Sequence, residues 1–133
     1  MRRRVRIRIP QMTRVELLAP AGNRECLEAA ARFGADAVYA AGKVYGLRAF
    51  ADNFTLEEIA DAAAYLHGLG KKLYIALNAV FHEKDYEGLE AYVSGLRDAR
   101  VDALIVSDPG VFMTVRRAAP DMPVHISTQA NTC

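Results

Sequence analysis

The sequence predicts an α/β fold: a parallel sheet of the (β/α) barrel type, with about five strands and four helices forming the first half of a TIM-like barrel. Three observations predict it. Short apolar strands alternate with amphipathic helices along the chain, the pattern of right-handed βαβ units. Each of the first four strands runs up to a turn or polar residue, and a helix follows. The segment after Lys72 (Leu73-Tyr74-Ile75-Ala76-Leu77) is apolar on both faces, as a parallel strand covered on both sides should be. A closed barrel needs eight strands and ~250 residues, so these 133 residues correspond to its opening half.

The strands expected are Val15–Ala19, Asp36–Ala40, Lys72–Asn78, Asp102–Asp108 and Val124–Thr128. After the first, Pro20-Ala21-Gly22 turns and Asn23 caps a helix, its side-chain oxygen accepting a first-turn N–H. That helix runs to about Phe33 and stops at Gly34, suited to the left-handed residue after a helix end. Its inward face is expected to hold Cys26, Ala29, Ala30 and Phe33. Thr55-Leu56-Glu57-Glu58 is a capping box opening the second helix, with Leu56, Ile59, Ala60, Ala63 and Leu66 as its apolar stripe. Gly68 and Gly70 end it. Asp85 is expected to cap the third helix, with Tyr86, Leu89, Val93 and Leu96 inward. Asp108-Pro109 opens the fourth, because proline at the first helical position forfeits no hydrogen bond.

Composition fits a globular core, with 52% hydrophobic residues. No apolar stretch reaches the ~18–20 residues of a membrane span and no signal-peptide segment is evident, which points to a cytoplasmic protein without a membrane partner. The two cysteines form neither a disulfide framework nor a metal-ligand set. The net charge of +1 is uneven: five of the 17 basic residues lie in residues 1–13 with no acid, leaving 12 bases against all 16 acids, a net −4. Residues 1–13 are therefore a basic N-terminal extension, and residues 14–133 the truncated half barrel. The arginine arm could attract phosphate, or add a strand, since Arg4-Val5-Arg6-Ile7-Arg8-Ile9 alternates with period two.

Dinucleotide, phosphate-loop, nucleophile-elbow and paired-histidine or paired-cysteine motifs are all absent. Parallel α/β sheets bind ligands at the carboxyl ends of their strands, and the substrate-binding candidates come from there: Arg48, Asn53, Asn78, Asp108 and Gln129. Arg48 offers a planar fork of donors for carboxylate or phosphate, or pairs with a surface acid. Asn53 could orient a base or satisfy loop backbone. Asn78 faces a ligand or closes a turn. Asp108 is a general base, a holder of a substrate hydroxyl, or simply a helix cap. Ser127, Thr128 and Gln129 put polar groups where a core strand leaves the sheet. Catalytic residues are not identifiable, and spacing links none of His67, His82 and His125 to a nucleophile.

Several blocks carry a family resemblance. Glu16-Leu17-Leu18-Ala19-Pro20-Ala21-Gly22-Asn23, Gly34-Ala35-Asp36-Ala37-Val38-Tyr39, Tyr45-Gly46-Leu47-Arg48, Asp52-Asn53-Phe54-Thr55, the run from Asp102 to Gly110, and the run from His125 to Asn131 occur in this order. Together they resemble the collagenase-like peptidase family (unclassified peptidases, family U thirty-two), over residues 15–131, nearest its tRNA wobble-uridine hydroxylation branch. The resemblance implies a barrel-like N-terminal domain and prephenate-dependent hydroxylation of an RNA base, with tRNA and prephenate as partners of the full-length protein. It also implies an iron–sulfur cluster farther along many members, with no cofactor in this portion. The alternatives are a peptidase, as the family name says, and an inactive isolated fragment; the unpaired edges of a half barrel would make such a fragment associate with itself. The arginine arm departs from the family's usual start.

Overall fold

The structure is a computed structural model that describes residues 14–46, 53–128 and 130. Among these, five strands form one parallel sheet in sequential order: β1 (Leu18–Pro20), β2 (Ala37–Ala41), β3 (Lys72–Leu77), β4 (Ala103–Val106) and β5 (Val124–Ile126). Between them run α1 (Arg24–Arg32), α2 (Leu56–Gly68), α3 (Leu89–Asp98) and α4 (Pro109–Ala118). This is the parallel α/β alternation expected, and the arginine arm lies outside the described residues.

One sheet face carries the main core. Val38, Ala40, Leu73, Ile75, Leu77, Leu104 and Val106 pack there against Leu27 of α1, Ile59 and Leu66 of α2, Val93 and Leu96 of α3, and Val111 and Val115 of α4. Helices from all four connections join one cluster, because right-handed crossovers between strands added in sequence fall on the same side. Each fully buried Leu, Ile or Val contributes about 1.5–3 kcal/mol of transfer free energy. The opposite face holds a separate cluster built from strands alone, Ala37, Tyr74 and Ala103 with Tyr39 and Ile105 at its margin.

The strands are entered through a repeated device. After α1, α2 and α3 a residue in the left-handed region turns the chain: Gly34 (φ 101°), Gly70 (φ 69°) and Arg100 (φ 63°). The next amide then returns to a carbonyl in the last helical turn, Ala35 to Ala30, Lys71 to Leu66 and Val101 to Leu96. In two of the three connections an aspartate follows. Asp36 accepts the Leu17 N–H at 2.9 Å, and Asp102 accepts the Leu73 N–H at 2.8 Å. Their own amides donate back to the carbonyls of the same residues, Leu17 and Leu73. Each aspartate thus grips the entry of the strand preceding it, Leu17 beside β1 and Leu73 in β3, and fixes the parallel register. Asp102 also takes His67 of α2, Nε2 to Oδ2 at 2.8 Å, tying helix end to strand start.

Several boundaries differ from the sequence reading. β1 begins at Leu18, because β2 offers no paired residue before Ala37, and Val15 is 87% exposed. Asp102 and Asp108 lie outside β4, one spent on the register bond and the other on a helix cap. Asp85 does not start the third helix. Its carboxylate accepts the His82 N–H and closes a short 3-10 turn, Glu83–Tyr86. Extended Glu87 breaks that turn, and left-handed Gly88 starts α3 afresh. On α1 the buried face is Leu27 and Ala31, rotated from the expected one, so Cys26 is exposed and Phe33, the helix cap, is 89% exposed.

Two stability outcomes follow from the repeated entry. Asp102→Ala leaves the Leu73 amide without its acceptor and is expected to cost about 1–3 kcal/mol in urea unfolding. Arg100→Gly relieves a side chain in the left-handed region and should stabilise by up to about 1 kcal/mol in the same assay. A neutral Asp102→Ala or a destabilising Arg100→Gly would contradict the roles assigned.

Candidate functional site

The carboxyl ends of the strands collect the polar residues. β2 leaves the sheet at Ala41, and Phe54 returns to it: the Phe54 amide donates to Ala41 O and the Lys43 amide to Phe54 O. This bridge brings Asn53 beside the end of β2, where it is 6% exposed. Asn78 follows the last residue of β3, and Asp108 stands two residues past β4. Ser127 follows β5, its amide donating to Val106 O. Asn53, Asn78 and Asp108 therefore take the ends of three neighbouring strands. Arg48 and Gln129 lie outside the described residues.

Asp108 is a helix cap, one of the readings left open above. Its Oδ1 accepts the Val111 N–H at 3.0 Å, and Pro109 occupies the first helical position. It also accepts the Tyr86 hydroxyl at 2.7 Å. Partial burial works against the charged carboxylate, but the hydrogen bonds from Tyr86, Val111 and Gly110 outweigh it and hold the pKa below the ordinary aspartate value. Such a carboxylate is an ionised acceptor at neutral pH and a weak base. The same bond, with burial, pushes the Tyr86 hydroxyl up to about 12. Gly110 makes room for it, since a Cβ there would lie 2.4 Å from the Tyr86 oxygen.

Tyr86 belongs to a chain of rings that sequence reasoning missed. Tyr45 stacks on Phe81 with centroids 5.2 Å apart and meets the edge of Tyr92 at 5.3 Å; Phe81 lies 5.6 Å from Tyr86. The rings span the connections after β2 and β3 and the first turn of α3. Tyr92 ends against Gly42, where a Cβ would lie 1.9 Å from its oxygen. Its hydroxyl is buried without a hydrogen-bond partner, and burial pushes its pKa to about 12. The signal available was an aromatic in each loop after β2 and β3, opposite a glycine at a strand end.

A cavity of about 680 Å³ opens between the amino ends of α1 and α2. Asn23 and Arg24 line one side, Glu58 and Asp61 another, with Lys43, Asn53 and Phe54 from the connection after β2. Asn53 is the one described candidate in this lining; Asn78 and Asp108 are not among its residues. The described candidates thus share the carboxyl-end face and fall into two neighbourhoods. Among the described residues no group of three or more His, Cys, Asp and Glu is placed to hold a metal. No described helix is long and apolar enough to cross a membrane.

Comparison with known proteins adds the following. Residues 22–133 match the family model "Peptidase family U32". The chain is 50% identical over 114 residues to "tRNA hydroxylation protein P1" of Bacillus subtilis (strain 168), covering 86% of this chain and 27% of that protein. It is 41% identical over 120 residues to an "Uncharacterized protease" of Methanocaldococcus jannaschii, covering 90% of this chain and 29% of that one. The chain therefore spans less than a third of these relatives. Among solved structures, the U32 peptidase Mk0906 superposes with a TM-score of 0.69 at 17% identity, over 92% of this chain and 53% of that one, a likeness of fold.

The Tyr86–Asp108 bond has a pH signature. Because the native pKa of Asp108 is lowered from 3.8, its contribution is present above that value and is lost as pH falls through the lower native one. Tyr86→Phe is expected to cost about 0.5–1.5 kcal/mol at pH 7, toward the lower end because both side chains keep solvent contact. The two proteins should converge in acid as Asp108 protonates. Urea unfolding at both pH values reads this, and a cost independent of pH would reject the bond as its source.

Proposed function

Because the chain belongs to peptidase family U32, we propose that the longer protein carrying it supports hydroxylation of an RNA base, the wobble uridine of tRNA, with prephenate as a small carboxylate partner. The observation that carries this reading is the 50% identity to a tRNA hydroxylation protein over 86% of the chain. The strand-end chemistry suits it. Asn53 and Asn78 carry amides, the group that reads a base edge, and ionised Asp108 accepts from a hydroxyl or N–H. The expected role of Arg48, binding carboxylate or phosphate, remains part of the proposal.

On this reading the five strands are the opening part of a TIM-like barrel. The helix-free sheet face around Ala37, Tyr74 and Ala103 is its interior, and the edges of β1 and β5 pair with the rest of the longer protein. Without that partner, the same edges would drive self-association. The iron–sulfur cluster of many members does not fit this chain, because a cluster takes four thiolates and the chain has two cysteines, with Cys26 exposed on α1. Its ligands belong to other parts of the longer protein.

A peptidase is the second reading, favoured by the M. jannaschii relative's name. Peptide hydrolysis needs an activated nucleophile or a metal-bound water. Here His67 is bonded to Asp102 at the opposite ends of the strands, and His125 stacks on Tyr74 at 5.1 Å.

Mass spectrometry of tRNA nucleosides separates the two. Deleting the gene should remove hydroxyuridine, the full-length gene should restore it, and the Arg48→Ala gene should not. Unchanged hydroxyuridine in the deletion strain would reject the function, and restoration by Arg48→Ala would reject the arginine's role.

A further inference from the structure

One strained residue takes no part in the strand entries. Among the described residues two non-glycines adopt the left-handed region, Arg100 and, at φ 66°, Tyr45. Arg100 turns the chain after α3, where that conformation is common. Tyr45 stands in the connection after β2, away from any helix end. A bulky side chain is held there against a steric cost, so its surroundings must supply the contacts that keep it. Those contacts come from beyond β3. The ring stacks on Phe81 with planes 12° apart, meets the edge of Tyr92, and its hydroxyl donates a long 3.4 Å bond to Glu87 O.

The conformation so held reaches two strand ends. The Tyr45 carbonyl accepts the Ala79 N–H at 3.1 Å, and Ala79 directly follows Asn78. The next residue, Gly46, is pressed against the end of β2. A Cβ there would lie 3.0 Å from Ala41 Cβ, 3.1 Å from Gly42 O and 3.4 Å from Asn53 Nδ2. Tyr45 and Gly46 thus bridge from the buried Asn53 to the backbone beside Asn78. Rotating Tyr45 out of the left-handed region would swing its carbonyl away from Ala79 and carry Gly46 off Asn53, because the rigid peptide planes move with φ and ψ.

We infer that Tyr45 is a positioning residue for the strand-end site: its ring contacts hold a strained backbone that fixes Asn78 relative to Asn53. The role toward a substrate rests on the RNA reading above; the coupling of the two strand ends stands on the geometry. Ring packing alone is the rival account, and the two rank small substitutions differently. A ring that only packs is lost equally in alanine and glycine, and glycine adds flexibility, so glycine would do no better than alanine. A ring that holds strain is missed less by glycine, which takes the left-handed region without a steric cost.

Hydrogen exchange at the Ala79 amide of the full-length protein reads the coupling. Hydroxyuridine in tRNA from strains carrying each variant reads the function. Tyr45→Ala is expected to speed Ala79 exchange about tenfold, the size of one left-handed strain, and to lower hydroxyuridine. Tyr45→Gly should fall between alanine and wild type in both readouts, and Tyr45→Phe, which keeps the ring contacts, should hold both near wild type. Phe81→Leu removes the stacked partner with Tyr45 intact and should also speed Ala79 exchange. It decides the matter if thermal melts show Tyr45→Ala unfolded. Glycine protecting Ala79 no better than alanine, unchanged exchange in Phe81→Leu, or full hydroxyuridine in Tyr45→Ala against its loss on gene deletion would overturn the inference. Unchanged hydroxyuridine in the deletion strain would sink the hydroxylation reading alone, and the exchange ranking would still decide the coupling.

Discussion

The carboxylates of Asp36 and Asp102 hold the strand register on which the rest of this structure depends. Each sits one residue before a strand and binds a backbone amide at the start of the strand preceding it, Leu17 just before β1 and Leu73 within β3, while its own amide returns the bond. Parallel strands have no tight turn to fix their alignment, and a slip of one residue would exchange the two faces of a strand. In β3 such a slip would turn Leu73, Ile75 and Leu77 away from the helices and bring Lys72, Tyr74 and Ala76 toward them. The left-handed residue before each entry directs the chain from helix end to strand start, so the aspartate arrives at the same place after α1 and α3.

What is fixed at the amino ends is read at the carboxyl ends. Six positions after Asp36, Lys72 and Asp102 come Gly42, Asn78 and Asp108. Gly42 receives the tip of Tyr92, and Asp108 receives the Tyr86 hydroxyl beside Gly110. The ring chain between those tyrosines crosses the end of β3 and gives the strand-end residues a packed aromatic neighbour. Asp108 accordingly combines two duties: it satisfies an amide at the start of α4 and stays ionised toward the carboxyl-end face. The cap reading and the functional reading describe one carboxylate with several acceptor positions.

The carboxyl-end face divides into two neighbourhoods. The cavity at α1 and α2 is lined by charges of both signs and by the buried Asn53. The ends of β3 and β4 offer Asn78 and Asp108 with aromatic rings beside them. Asn53 belongs to the first by its lining and to the sheet by the Phe54 bridge next to it.

The sequence by itself determined the fold class and the helix caps at Asn23, Thr55 and Asp108. These are local matters: apolar periodicity, a side-chain oxygen within reach of its own helix, a proline where no amide is needed. It also carried the family, through blocks that keep their order. Tertiary structure decided what depends on partners distant in the chain. Asp85 looked like a helix cap and was taken by a short turn; Cys26 looked buried and is exposed because packing rotated α1 by one residue. Asp102 read as the start of a strand, and its work is to hold Leu73 and His67, 29 and 35 positions away. Tyr86 read as a core residue, and its hydroxyl holds Asp108. The cavity joins residues from Asn23 to Asp61 that no spacing rule connects, because two helix starts come together only when β1 and β2 pair.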